Sequence, residues 1–371
     1  MNEALGIVNF EDNSVEISGL TDYRTVSAIS FLGRYRLIDF VISNMTNSGI
    51  SHIQVYFKNK PRSLIEHLGT GRHYNLNSKR GRLHLLGGEE VVHSEVYNHD
   101  INAFQQNLEF IEEDSRPYVV IAPSYMIYSI DYNYVLEAHK QSNADITVVY
   151  KPVDNATEYF VGCDTITFDG GKHISKFEKN RGKYKTRNIS LECYVMTKKI
   201  FIELINRAAR TSSLFGLKDI LADSVNDYNI LGYAYRGYVA CVNSLAQYYK
   251  ANMELCDYHK AAELFQEDWT IHTRTNDSPP TLYGEHSHVK GSSIANGCTI
   301  EGEVINSVVG RNVVIKKGAI VKNSIILPDC FIGENVKLDG AVVDKKAIVH
   351  HVKKLEGTKE EPIYVKKRDR I

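Results

Sequence analysis

VVGRNVVIKKGAIVKNSIILPDCFIGENVKLDG (308–340) carries an aliphatic residue at every sixth position: Val308, Val314, Ile320, Ile326, Ile332 and Leu338. Ile294 and Ile300 extend the series upstream, with two extra residues inserted before Val308. Asn or Gly recurs between them, in NG (296–297), GRN (310–312) and GEN (333–335). A six-residue aliphatic period marks a hexapeptide β-helix, in which each coil is a triangular turn and the aliphatic side chain fills an inner corner. Small polar residues suit the tight bends between faces. The repeat predicts a solenoid of about seven coils whose exposed ends pack against something else, often another subunit. An irregular β-sandwich is the competing fold, and the regular spacing speaks against it.

Upstream of the repeat the pattern is different. YRLIDFVISNMTN (35–47) has helical periodicity and stops at Gly49, and the buried strand HIQVYF (52–57) follows. YVVIA (118–122), the helix YNYVLEAHKQSN (132–143) and the strand DITVVYKPV (145–153) continue the alternation. A β-rich stretch spans FVGCDTITF, a turn at Asp169-Gly170-Gly171, HISKFEK and NISLECYVMT (160–197). KIFIELINRAAR (199–210) and FGLKDILADSVND (215–227) read as helices. ILGYAYRGYVACV (230–242) reads as one long strand, and SLAQYYKANMELCDYH (244–259) as a helix with Ser244 as N-cap. Alternating strands and helices with few hairpins predict a parallel or mixed α/β sheet covered by helices. The expected division is an α/β domain over 1–260, a linker over 261–285 containing Pro279-Pro280, and the β-helix over 286–371.

Composition narrows the function classes. A chain of 371 residues is too long for one ordinary core. Hydrophobic residues at 43% and charged residues at 24% are a globular balance. A formal net charge of −1 supplies no global field for nucleic acid or anionic lipid, so neither is an expected partner. No apolar run reaches the roughly 18 residues that span a bilayer. The acidic start MNEALGIVNFEDNSVEIS is unlike a signal peptide, so a cytoplasmic location is expected. The six cysteines are scattered with no C-x-x-C pair, which suggests neither a disulfide framework nor a zinc site. Nothing near Cys241 in sequence would lower its pKa and make it reactive.

Several stretches resemble one family. GRYRLIDFVISNMTNSGI (33–50) resembles the G-K/R-Y-R-I-I-D-F-x-L-S-N-C-x-N-S-G-I block of glucose-1-phosphate adenylyltransferase, also called ADP-glucose pyrophosphorylase. SLIEHLGTGRHYNL (63–76), MIYSIDYNYVLEAHKQSNADITV (126–148), FGLKDIL (215–221) and YYKANMEL (248–255) are similar to further blocks of that family. The resemblance covers nearly the whole chain. It implies an N-terminal nucleotidyltransferase domain, Rossmann-like with a mixed, mostly parallel sheet, and a left-handed hexapeptide β-helix. The family makes ADP-glucose and pyrophosphate from ATP and glucose 1-phosphate with Mg²⁺, for glycogen or starch synthesis.

That reaction needs backbone N–H groups and cations around a triphosphate, and carboxylates to hold Mg²⁺. The positions that match those groups are altered here. The family's G-G-x-G-x-R-L loop aligns with Glu11–Ile17, without glycine and with Glu16 in place of arginine. A carboxylate about 5 Å from a phosphate costs roughly 3 kcal/mol at an effective dielectric of about 20. The lysine of A-K-P-A-V aligns with Val26, and the two metal-binding aspartates align with Tyr125 and Cys241. Asn180 stands for the sugar-phosphate lysine, beside Lys179 and Arg181, and Glu192 for a glycine next to the sugar. A phenol and a thiol are poor donors for Mg²⁺. Tyr125, Tyr128, Tyr132 and Tyr134 are expected to fill the former nucleotide cavity.

The resemblance therefore points to the non-catalytic, regulatory (GlgD-type) subunits of the family. Such a chain alone is expected to be inactive or nearly so, and to bind no cofactor, with Mg²⁺ held by a catalytic partner in a heterotetramer. A homo-oligomer when alone stays open. So do two other readings: an active sugar-1-phosphate nucleotidyltransferase with a diverged metal site, retaining an acid such as Asp131, and a sugar-phosphate-binding sensor. Arg34, Arg36, Arg72, Lys79, Arg80 and Arg82 bracket regions where the family binds activating sugar phosphates and are the effector candidates. His67 is expected to pack or hydrogen-bond. His286, His288, His350 and His351 flank the repeat, where a hexapeptide acyltransferase would need its base inside it.

Overall fold

The computed structural model describes residues 3–10, 15, 17–76, 81–88 and 99–371. Among the described residues the first domain is built on a nine-stranded sheet. Its centre is the strand Ala4–Asn9, parallel to His52–Phe57 on one side and to Tyr118–Pro123 on the other. Arg82–Gly87 extends the parallel edge. Arg187–Thr197 then runs antiparallel to both Tyr118–Pro123 and Ile146–Val153. Side chains alternate as a pleated strand requires: Leu5 and Ile7 enter the core under helices Lys198–Thr211 and Leu217–Asp223, while Ala4 and Val8 enter the opposite core. Both faces are covered, so the central strands read as unbroken apolar runs.

Helix Leu37–Asn47 starts where Asp39 accepts the Arg36 backbone N–H at 2.8 Å. The expected helix at 132–143 is Tyr132–Ser142, capped by Asp131. Ser244 caps its helix as expected, accepting from the Gln247 N–H at 3.2 Å. That helix is shorter than the pattern implied. It ends at Glu254, and Asp257 caps a second helix, Tyr258–Leu264. The expected long strand 230–242 is also divided. Ile230–Ala234 pairs with Ile146–Val153, and then the chain leaves the main sheet so that Ala240–Cys241 pairs with Met126–Ile127. Ile230 is the buried residue of the first piece, and both Ala240 and Cys241 are buried in the second.

Residues 265–281 carry no regular element yet are not loose. The Trp269 indole N–H donates to Asn44 Oδ1 at 2.9 Å, and the His272 N–H donates to Ser43 Oγ at 2.8 Å. The first solenoid strand is Leu282–Tyr283.

The second domain is a parallel β-helix of three five-stranded faces, so it has five coils rather than about seven. Its register also differs from a constant period of six. Val304 stacks under Val321 and Val321 under Leu338, each 17 residues on, so one corner in each of these coils is a residue short. The lining is Val309, Ile315, Val321, Ile326, Ile332 and Leu338, all in the solenoid core. The sixfold series thus lies one residue off the lining at Val308, Val314 and Ile320, and on it from Ile326 onward. Val314 and Ile320 are half-exposed, and Val308 is buried outward against the first domain. The corner residues behave as expected: Asn312 and Asn335 take φ of 58° and 59°, and Gly297 takes 82°.

One face of the solenoid is covered. Val308, Ile325, Leu327 and Val342 join the same core as Ile29, Phe31, Tyr248 and Tyr249 of the first domain. Gly33 lies against this face at φ +69°, where a Cβ would meet the Val309 carbonyl oxygen at 2.7 Å. The Tyr249 hydroxyl donates to the Asn323 carbonyl across the seam.

Candidate functional site

Two places gather polar side chains. The first holds Tyr125, Glu192 and Cys241, three of the positions that the resemblance aligns with catalytic or sugar-binding groups. The short pairing of Ala240–Cys241 with Met126–Ile127, with the Val242 N–H donating to the Tyr125 carbonyl at 2.9 Å, sets Cys241 next to Tyr125. The Tyr125 hydroxyl donates to Glu192 Oε1, and so does the Lys218 ammonium. Lys218 also lies 3.4 Å from the Tyr125 hydroxyl and 3.7 Å from Asp164 Oδ2. Cys163 Sγ lies 3.2 Å from Cys241 Sγ. Burial, then the Glu192 carboxylate, pushes the Tyr125 phenol well above its ordinary value, so it remains a donor. Burial also raises Glu192, against the pull of Lys218.

Glu192 occupies a left-handed backbone conformation, φ +52°, at an irregularity in the pairing of Arg187–Thr197 with Ile146–Val153. Such a conformation favours glycine, so the side chain is retained against a local penalty. Asn180 is fully engaged in structure. Its Nδ2 donates to the carbonyls of Ala156 and Phe160 at 2.8 and 2.9 Å, and its Oδ1 accepts from the Gly182 N–H at 3.0 Å. Val26 is buried in the turn Val26–Ala28. Glu16 lies outside the described residues, as does most of the loop around it. Tyr125, Tyr128 and Tyr132 are buried together, whereas Tyr134 points to solvent at 66% exposure and fills nothing. The donor set here is a phenol, two thiols and two carboxylates, Glu192 and Asp164, that share one ammonium. It does not suit Mg²⁺, which takes an octahedron of oxygens. Among the described residues no group of three His, Cys, Asp or Glu side chains is arranged to hold a metal.

The second place is a cavity of about 340 Å³ between the domains. Arg34, Arg36, Arg274, Arg311 and Lys345 line it, with Asp329 as the carboxylate on its wall. Burial and the neighbouring Arg36 and Arg24 push the Lys345 ammonium down to about 7. Burial, then Arg34, lowers Arg311. Cations that depress one another around a cavity favour an anion. His67 also lines it, and its Nε2 meets the buried Asp39 Oδ1 at 2.6 Å, as expected of a hydrogen-bonded histidine. A neighbouring cavity of about 520 Å³ shares Arg34, Tyr35 and Arg311 and adds the apolar walls of Leu32, Phe265 and Ile294.

Of the effector candidates, Arg34 and Arg36 meet in this cavity. Arg72 does not; it is exposed on the turn Arg72–Tyr74. Arg82 lines a separate cavity of about 240 Å³ with His52, His84 and Arg116. Lys79 and Arg80 lie outside the described residues. Sequence reasoning missed Arg274, Arg311 and Lys345. They come from the linker and two corners of the solenoid, and no local signal marks them. The flanking histidines do not form a site: His286 and His288 are exposed, and His350 stacks on His351 at 3.6 Å.

Comparison with known proteins agrees with this layout. Residues 17–257 match the nucleotidyl transferase family, and residues 281–360 match the GlmU-like C-terminal hexapeptide family. The chain is 30% identical to the glycogen biosynthesis protein GlgD of Bacillus subtilis over 99% of this chain and 96% of that one. It is 35% identical to the GlgD protein of Geobacillus stearothermophilus over the same shares, 99% and 96%. It is 34% identical to the glucose-1-phosphate adenylyltransferase of Lachnospira eligens over 80% of this chain and 70% of that one. No helix among the described residues is long and apolar enough to cross a membrane.

Proposed function

The chain belongs to the glucose-1-phosphate adenylyltransferase family, and we propose that within it this chain is a regulatory, catalytically deficient subunit acting in bacterial glycogen synthesis. It works in the cytoplasm in a hetero-oligomer, a heterotetramer by family resemblance, with a catalytic subunit that makes ADP-glucose and holds the Mg²⁺. The observation that carries this is the contact of Tyr125 with Cys241 beside the Lys218–Glu192 ion pair. The two positions aligned with metal-binding aspartates are neighbours, as a metal pair must be. Neither is a hard oxygen anion, and the two carboxylates beside them, Glu192 and Asp164, both face the Lys218 ammonium. ADP-glucose formation from ATP and glucose 1-phosphate tests the reading on this chain alone, the catalytic subunit alone and the two co-purified. Silence of this chain alone and a gain in the pair are expected. Turnover by this chain alone, far above contamination, would support the active-enzyme reading instead.

The interdomain cavity supports a second element of this reading: an anionic effector of the sugar-phosphate class, bound by Arg34, Arg36, Arg274, Arg311 and Lys345. Glucose 1-phosphate and inorganic phosphate are the probes. A rise in melting temperature that Arg311→Ala abolishes is expected. No shift with either probe, and no change in the partner's kinetics, would remove the effector.

A further inference from the structure

Cys163 and Cys241 are 78 residues apart in sequence, and their sulfurs are 3.2 Å apart. Both are free and buried. The loop and strand that carry them are already pinned together. Asn243, two residues after Cys241, donates from Nδ2 to the carbonyl of Val161, two residues before Cys163, at 2.8 Å. The Cys163 carbonyl accepts from the Asn180 N–H at 2.8 Å, and the Cys163 N–H donates to Phe160 at 3.1 Å. By contrast, Cys256, Cys298 and Cys330 make their contacts with backbone carbonyls. The scattered spacing of the cysteines hides this pair.

We propose that Cys163 and Cys241 form an oxidative modification site that reacts with a hydroperoxide and closes to an intramolecular disulfide. A disulfide needs the sulfurs at about 2.05 Å, so they must approach by roughly 1.2 Å. The chemistry balances in two steps. The hydrogen bond with Cys163 and burial push the Cys241 thiol well above its ordinary value, so Cys163 is the attacking sulfur. It loses its proton as it attacks the peroxide oxygen; the O–O bond breaks, an alcohol (water, from hydrogen peroxide) leaves and a sulfenic acid remains. The second thiol attacks that sulfur; the S–O bond breaks, water leaves and the S–S bond forms. In sum two thiols and one hydroperoxide give one disulfide, one alcohol and one water. The two thiols are oxidised and the peroxide is reduced. The bond would tie the loop at 160–163 to the strand that leads into helix Leu245–Glu254. That helix holds the solenoid through Tyr249, so oxidation would stiffen the path from the altered catalytic pocket to the domain seam.

The full-length chain, fully reduced, is treated with hydrogen peroxide or cumene hydroperoxide for hours, then denatured and its thiols counted. Loss of two of the six thiols, restored by dithiothreitol, is expected, together with a proteolytic peptide joining Cys163 to Cys241. Cys163→Ser and Cys241→Ser should each abolish the linked peptide, and the oxidised wild type should melt higher than the reduced form. Retention of all six thiols would overturn the proposal. So would a linked peptide joining other cysteines, or conversion of these two to sulfinic acids without a link. The wild-type peptide map decides the matter even where a serine variant fails to fold.

Discussion

Arg24 Nη2 lies 2.7 and 2.8 Å from the two carboxylate oxygens of Asp344, and both side chains are buried at the seam between the domains. Asp344 also accepts from the Tyr364 hydroxyl at 2.8 Å and from the Lys345 N–H at 2.6 Å. The pair spans 320 residues and ties the first domain to the solenoid. Removing one partner leaves the other charge buried and unpaired. Asp344→Ala is therefore expected to destabilise the chain by about 3–5 kcal/mol, read by urea denaturation. An Arg24→Met, Asp344→Leu double variant should recover much of that loss. Equal loss in single and double variants would mean that the ion pair is not the reason.

Restoring aspartate at both Tyr125 and Cys241 is expected to give no ADP-glucose formation above the wild-type level. The phosphate loop aligned with Glu11–Ile17 still lacks its glycines and its arginine. Two added carboxylates would also crowd Glu192 and Asp164, so the variant should melt below wild type. Robust turnover by the double variant would refute the regulatory reading.

Glu192 couples that pocket to pH. Burial raises its folded-state pKa above the ordinary 4.5, with Lys218 opposing. The folded chain then holds this proton more tightly than the unfolded chain. Its contribution to stability is present below 4.5 and is lost as pH rises through the folded value. The stability of Glu192→Gln relative to wild type should accordingly rise as the pH is raised from about 4 toward neutrality. A difference independent of pH would show that Glu192 does not titrate there.

Lys345 gives the cavity a pH dependence of the opposite origin. Its folded-state value of about 7 lies below the ordinary 10.5, so stability rises with pH between the two. An anion in the cavity favours the charged ammonium, so binding weakens as pH rises through 7. Sulfate is a suitable probe because its charge is constant in this range. Its affinity should fall up to about tenfold between about pH 6 and 8.5 in wild type and stay flat in Lys345→Gln. Parallel profiles in the two proteins would place the dependence elsewhere.

The solenoid register separates neighbouring residues. Ile315 is fully buried in the lining, and Val314 beside it is half-exposed. Ile315→Ala should cost about 2–4 kcal/mol by thermal or chemical denaturation. Val314→Thr should stay within about 0.5 kcal/mol. The reverse order would restore the constant period of six.

Much of the first domain was legible along the chain. His52–Phe57, Leu37–Asn47 and Tyr132–Ser142 match their periodic patterns because local propensity and burial agree there. The misreadings came where burial is two-sided. The stretch 230–242 reads as one strand because both of its pieces are paired strands, one in the main sheet and one against Met126–Ile127, and the turn between them has no local signal. Val308 was read as solenoid lining because an outward residue pressed against another domain is as apolar as an inward one.

The sequence by itself determined the fold class, the repeat and which residue types stand at the positions aligned with the family's catalytic groups. Those are properties of residue types at given spacings, and hydropathy and motif carry them without reference to distant contacts. Only the tertiary structure decided which groups meet. The strand break at 235–239 brings Cys241 to Tyr125 and Cys163, a left-handed backbone aims Glu192 at Lys218, and two corners of the solenoid deliver Arg311 and Lys345 to Arg36. Each of these contacts spans loops or domains, and the free energy that fixes it is the burial of faces far apart in the chain, which no local window records.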